Sequence, residues 1–129
     1  MRAEGPASKY RRQRANRLGH RAEWLACAIL MLRGYRILAR RYKVAGGEID
    51  IIARRGATVA FVEVKIRTSL EEALLAVTAT KRRRIERAAS VWLTRNSWAM
   101  ACTLRGDAVI AAPNRWPRHI EAAFPLTLG

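Results

Sequence analysis

Apolar and polar positions follow two different rhythms along the chain. Between residues 18 and 33, Leu18, Ala22, Leu25, Ala26, Ile29, Leu30 and Leu32 recur at the spacing of one helix face, and Gly34 follows where a helix terminator belongs. Glu23 falls at the edge of that stripe and Trp24 points away from it. The period then shortens to two. Runs over 35–42, 48–54 and 58–67, separated by Ala45-Gly46-Gly47 and by Gly56-Ala57, predict three strands in a β-meander. Residues 71–95 read as helical with a break near 78–80, and Thr80 is the expected N-cap before Lys81-Arg82-Arg83-Arg84. Ile85, Ala88, Ala89 and Trp92 form its buried stripe. A strand over 104–112, stopped by Pro113, and a short one over 119–123 complete an α/β chain with a mixed sheet.

The middle hairpin carries the chemistry. A two-residue Gly56-Ala57 turn, with glycine first as a type II′ turn prefers, sets Asp50 opposite Glu63, Glu48 opposite Lys65 and Ile52 opposite Phe61. These side chains share one face, and Ile49, Ile51, Val62 and Val64 fill the other as core. A loop one residue longer or shorter would separate the two acids. Opposed carboxylates repel, and a hard divalent cation such as Mg2+ or Mn2+ offsets that repulsion while sharing its coordination with a phosphate. Such an ion polarises a phosphoryl oxygen and acidifies bound water, and Lys65 beside it can stabilise charge developing on the phosphate. The alternative for the same residues is a Glu48–Lys65 ion pair across the hairpin, with the remaining acids solvated.

Composition changes the picture further. The 129 residues suit one domain over 17–129, preceded by a polar, basic stretch over 1–16 that reads as a flexible tail. The formal net charge of +15 favours a polyanionic partner, nucleic acid before an anionic membrane surface. No apolar run is long enough to span a bilayer and no secretory signal opens the chain, so the expected location is the cytoplasm. Cys27 and Cys102 have only His20 and His119 for company, which makes no zinc spacing; both are expected as free, buried thiols. Basic residues are almost all arginine, with Lys9, Lys43, Lys65 and Lys81 the exceptions, and a compact ammonium at position 65 does what a planar guanidinium does not.

Gly47-Glu48-Ile49-Asp50-Ile51-Ile52, a short turn, and Phe61-Val62-Glu63-Val64-Lys65 together resemble the PD-(D/E)XK nuclease motif, most closely as it stands in the bacterial YraN family. That family is largely uncharacterised, is similar to archaeal Holliday-junction resolvases, and is treated as predicted endonucleases. The resemblance runs from Gly19 to Phe124 and takes in Glu23, the helix start at Lys81, Asp107 and the closing segment. It implies a restriction-endonuclease-like core, Asp50 and Glu63 as metal ligands with the Val64 carbonyl as a third, Lys65 as the catalytic lysine, Glu48 in the same set, and Glu23 as an extra acid from the first helix.

The expectation is therefore a Mg2+- or Mn2+-dependent endonuclease acting on DNA, branched or structured DNA included. Arg67, Lys81, Arg82, Arg83, Arg84 and Arg87 and the basic tail would contact the backbone, and a homodimer would suit a symmetric junction. Two other readings fit the same residues: a nucleic-acid-binding module without turnover, and a protein-interaction subunit using exposed Trp24.

Overall fold

The computed structural model describes residues 6–67 and 77–128, with side chains from residue 19 onward in the first segment. Helix α1 runs Pro6–Leu32, strands β1 Arg36–Val44, β2 Gly47–Arg55 and β3 Thr58–Ile66 follow, then helix α2 Ala79–Arg95, a 3-10 turn Ser97–Ala101, and strands β4 Thr103–Ala111 and β5 Arg118–Phe124. The five strands form one mixed sheet in chain order: β1, β2 and β3 antiparallel, β4 parallel to β3, and β5 antiparallel to β4. The passage through α2 supplies the long connection that a parallel β3–β4 pair requires. No helix of the described residues is long and apolar enough to cross a membrane.

Helix α1 begins at Pro6 rather than at residue 18, so most of the stretch read as a flexible tail is helical backbone. Proline suits a first helical position, and the Ala, Lys, Arg and Gln residues behind it are good helix formers that need no apolar period to continue a helix. Only residues 1–5 of that stretch lie outside the described residues. At the other end Gly34 turns left-handed at φ +90°, Gly34 N–H donates to the Met31 carbonyl and Tyr35 N–H to the Leu30 carbonyl, which is a Schellman cap. The buried stripe is narrower than the sequence period implies. Ala22, Ala26 and Leu30 are buried one turn apart, with Cys27 beside them, whereas Leu25 and Leu32 are exposed.

Both faces of the sheet are covered. Under α1 lie Ile51, Ala53, Ala60, Val62 and Val109; under α2 lie Ile49, Ile52, Val59, Phe61 and the helix residues Ile85, Ala88, Ala89, Trp92 and Leu93. The face expected to carry the charged set is thus mostly core, and Ile49 packs with Ile52 and Phe61 instead of with Ile51. The α2 stripe is the one its sequence predicts, and Trp92 packs edge-on against Phe61. The N-cap is Thr78, whose hydroxyl accepts from Lys81 N–H at 3.2 Å, while Thr80 stands inside the first turn. The helical expectation over 71–76 lies outside the described residues. Of the cysteines, Cys27 is buried and Cys102 half-buried, both free.

Candidate active site

The β2–β3 hairpin has the register its turn dictates. Arg55 pairs with Thr58, Ile52 with Phe61 and Ile51 with Val62, and Gly56 sits at φ +58° while Ala57 keeps a negative φ, the combination of a type II′ turn. The ladder stops at Ile51 and Val62, so neither the Asp50–Glu63 pair nor the Glu48–Lys65 pair is made. In an unbroken hairpin the Val64 amide would reach for Ile49; it donates instead to Asp50 Oδ2 at 2.8 Å. β2 and β3 therefore part at Asp50, and Ile49 changes sides of the sheet beyond the break. Across β1, the residue between the Arg40–Ile51 and Tyr42–Ile49 pairs is Arg41, which lies in the left-handed region at φ +50°. Strain of this kind in a non-glycine residue costs of the order of 1 kcal/mol or more and persists only where surrounding contacts hold it. Here the Arg41 guanidinium is held by Glu23, Nε to Oε2 at 2.6 Å.

The parted strands leave a cleft of about 350 Å³ between the two helices, lined by Gly19, Ala22 and Glu23 of α1, Glu48 and Asp50 of β2, Glu63, Val64, Lys65 and Ile66 of β3, Arg67, and Lys81 of α2. Lys65 is buried and its Nζ lies 2.8 Å from Glu63 Oε1; Lys81 Nζ reaches the same oxygen at 3.2 Å. Lys65 thus pairs with Glu63 on its own strand, which overturns the Glu48–Lys65 alternative. Glu48 is exposed, pairs across to Lys43 in the β1 ladder, and contributes to the cleft wall. Burial and then the negative charge of Glu63 push the Asp50 carboxyl up to about 7, against the pull of the Val64 amide.

Of the six basic residues expected to bind nucleic acid, Lys81 and Arg67 line the cleft. Arg82, Arg83, Arg84 and Arg87 lie further along α2. Arg83 reaches back to Thr80, and Arg87 sits over the β1–β2 turn with its Nε 3.4 Å from the Ala45 carbonyl.

A divalent cation fits the donors present. Each acid has one oxygen engaged by an N–H donor, Asp50 Oδ2 by the Val64 amide and Glu63 Oε1 by the two lysines, while among the described residues no N–H group donates to Asp50 Oδ1 or Glu63 Oε2. Two carboxylate oxygens and the Val64 carbonyl, completed by water, are the sparse all-oxygen set that Mg2+ accepts. Among the described residues no three His, Cys, Asp or Glu side chains gather in ligand geometry, so an all-side-chain cage of the zinc kind is not built here.

A second polar cluster was not anticipated as a unit. Asp107 of β4 is fully buried and accepts from Arg105 on both oxygens at 2.8 Å, from His119 Nε2 at 2.7 Å, and from the Ala122 amide at 3.0 Å. Arg105 also donates to the Tyr35 hydroxyl, and Arg33 Nη1 meets His119 Nδ1 at 2.8 Å. Burial alone would raise the Asp107 carboxyl, but the His119, Arg105 and Ala122 hydrogen bonds outweigh it and hold it at about 2. The cluster ties the end of α1 to β4 and β5, and its centre is closed to solvent: Asp107 and His119 side chains are 0% and 1% exposed. Its sequence signals are an aspartate inside an apolar strand and a histidine in the last one.

Residues 22–111 match the family model described as Uncharacterised protein family UPF0102. A UPF0102 protein of Methylobacterium nodulans is 54% identical, covering 97% of this chain and 96% of its own length. One of Methylorubrum extorquens is 55% identical over 94% of this chain and 95% of its own length, and UPF0102 protein mlr4633 of Mesorhizobium japonicum is 55% identical over 95% and 96%. The crystal structure of SSO0001 is 17% identical with a TM-score of 0.42; the match covers 93% of this chain and 61% of that one.

Proposed function

This chain belongs to the uncharacterised protein family UPF0102, and from that premise we propose that it is a metal-dependent endonuclease of the PD-(D/E)XK kind, with a restriction-endonuclease-like core and DNA as substrate. One observation carries the reading: the strands part at Asp50, which sets two carboxylates and a buried lysine together in an open cleft of a protein with net charge +15. A solvated sheet face would give spaced charges; a break that costs a ladder hydrogen bond and brings two acids together is the arrangement of a site.

Asp50, Glu63 and the Val64 carbonyl would hold Mg2+ or Mn2+, which when bound supplies charge neutralisation at the phosphate and a more acidic water. The chain's own residues do the rest. The Val64 amide fixes the Asp50 carboxylate and keeps Oδ1 free. Lys65, desolvated beside Glu63, keeps its ammonium in a fixed place where charge grows on the phosphate oxygens. Lys81 is half-exposed and able to leave Glu63 for a phosphate. Glu23, braced by Arg41, sits across the cleft with a carboxylate that can accept a proton from water. The arginines of α2 extend the positive surface along the backbone of a long substrate.

A second reading has a specific observation in its favour. Glu63 is charge-balanced by Lys65 and Lys81 without any cation, as in a module that binds nucleic acid and does not cut it. The two are separated by incubating the purified protein with branched, flapped, single-stranded and linear DNA in Mg2+, Mn2+ or chelator. The nuclease reading expects metal-dependent cutting that Asp50→Ala, Glu63→Ala and Lys65→Ala each abolish with DNA affinity largely kept. Binding that survives chelation, with no cutting of any substrate, would establish the second.

A further inference from the structure

Past Ala22 and Ile66 the acidic cleft opens into a larger groove of about 630 Å³. Its walls are mostly carbon: Leu25 of α1, Ile66 at the end of β3, Ala111 at the end of β4, and Pro113, Trp116 and Pro117 of the β4–β5 loop, with Arg21 and Arg115 at the rim. Trp116 is 79% exposed, the highest value among the tryptophans singled out by exposure, and Leu25 and Ile66 are exposed beside it. The other three tryptophans have stacking partners: Trp24 carries Arg40 over its ring, Trp98 carries Arg54, and Trp92 packs against Phe61 and Trp98. Among the described residues Trp116 has neither a guanidinium nor another ring against it.

We propose that this groove binds unpaired nucleotides next to the scissile phosphate, with a base stacked on Trp116 and its phosphates met by Arg21 and Arg115. The inference rests on the nuclease reading for where the scissile phosphate lies. The occupant follows from chemistry and continuity. A nucleobase is flat and apolar on its faces but is flanked by anions, and the groove offers an apolar aromatic wall with a cationic rim. An apolar protein segment would use the wall and leave the arginines unanswered. A continuous duplex would satisfy the arginines but keeps its bases stacked on each other, away from Trp116. The groove shares Ala22 and Ile66 with the acidic cleft, so a strand lying in one runs directly into the other. The substrate class is therefore DNA with unpaired nucleotides beside the cut, such as a flap, a gap or an open branch, in preference to continuous duplex.

The test is fluorescence anisotropy in chelator with a labelled oligothymidylate and a blunt duplex of equal length, using wild type, Trp116→Ala and Trp116→Phe. Stacking on one aromatic ring predicts that Trp116→Ala weakens oligothymidylate binding roughly tenfold or more, leaves the duplex unchanged, and that Trp116→Phe recovers most of the loss. Equal oligothymidylate affinity in wild type and Trp116→Ala overturns the proposal. So does an equal loss for both DNAs, or a variant that only melts earlier or only loses self-association, because the groove would then be filled by protein. Cutting of an overhang duplex in Mg2+ is followed in parallel. A selective loss of single-strand affinity with no cutting by wild type removes the nuclease and keeps the groove; cutting by both proteins with unchanged affinity does the reverse.

Discussion

The Val64 amide donates to the Asp50 carboxylate, 2.8 Å from Oδ2, at the point where β2 and β3 stop pairing. One backbone hydrogen bond of the hairpin is exchanged for a side-chain one, and the exchange opens the cleft. It also leaves Asp50 half-buried beside Glu63, which is unfavourable for two charged carboxylates.

The first prediction follows from that burden. The Asp50 carboxyl is raised to about 7 by burial and by Glu63, above its unfolded value of about 3.9. A raised folded value means that the stabilising contribution is full below the unfolded value and lost as pH climbs through about 7. In chelator, the stability of Asp50→Asn relative to wild type should rise between pH 5 and pH 8 by something on the order of 1–3 kcal/mol. Urea unfolding at the two pH values measures it. A difference that does not change with pH would mean Asp50 is ionised without strain.

The fate of this site shows what the sequence could and could not express. Gly56-Ala57 has one easy conformation in a hairpin, so the register from Arg55 to Ile51 is legible, and Asp50 and Glu63 line one cleft without pairing across the strands. The break at Asp50 was not readable, because it depends on the Val64 amide choosing between two acceptors in three dimensions. Strict alternation puts Ile49 on the wrong face for the same reason, because it holds only while the ladder does. Thr78 and Thr80 are equally good caps by residue type, and only the helix phase distinguishes them. The Asp107 cluster draws on the end of α1, β4 and β5, so no local spacing announces it.

The two lysines on Glu63 should be unequal. Lys65 is 6% exposed and Lys81 45%. Removing the buried partner strips Glu63 of its desolvated counter-charge, whereas removing Lys81 deletes a pair that water already screens. Lys65→Ala should abolish detectable cutting, a loss of at least roughly 10²–10³-fold, and lower stability clearly, and Lys81→Ala should change stability by less than about 1 kcal/mol. The double variant should lose less than the sum, since both act on one oxygen. Turnover and urea midpoints for the set measure this, and additive losses would show that the lysines work independently.

Asp107 supports the fold and stays out of the chemistry. Its carboxyl, held at about 2, lies below the unfolded value of about 3.9, so its contribution is present above the unfolded value and is lost as pH falls through about 2. Asp107→Ala leaves Arg105 and His119 without their buried partner and should cost about 3–5 kcal/mol. Asp107→Asn should flatten the fall in stability on the acid side. Unfolding curves from pH 6 downward report both, and an Asp107→Ala protein as stable as wild type would reduce the cluster to decoration.

Gly47 couples the hairpin to α2, and through α2 to the site. A Cβ at this position would stand 2.4 Å from the Arg84 carbonyl oxygen and 2.8 Å from the Ala88 nitrogen, both backbone atoms of a regular helix that cannot swing aside. The glycine is required by closeness, since its φ is not left-handed, whereas Gly46 beside it is at φ +81°. Gly47→Ala must therefore push α2 outward as a body, at a cost of about 1–3 kcal/mol by ordinary overpacking. Lys81 stands one turn before Arg84 on the same helix, so the displacement should also draw its ammonium from Glu63. The expected variant is folded, less stable, and weaker in cutting than Lys81→Ala alone, because the cleft wall moves with the lysine. Combining Gly47→Ala with Lys81→Ala then separates the two effects. If the double variant cuts like Gly47→Ala, the helix shift has already removed what Lys81 contributes; a further loss would show that the lysine still reaches the site from the displaced helix.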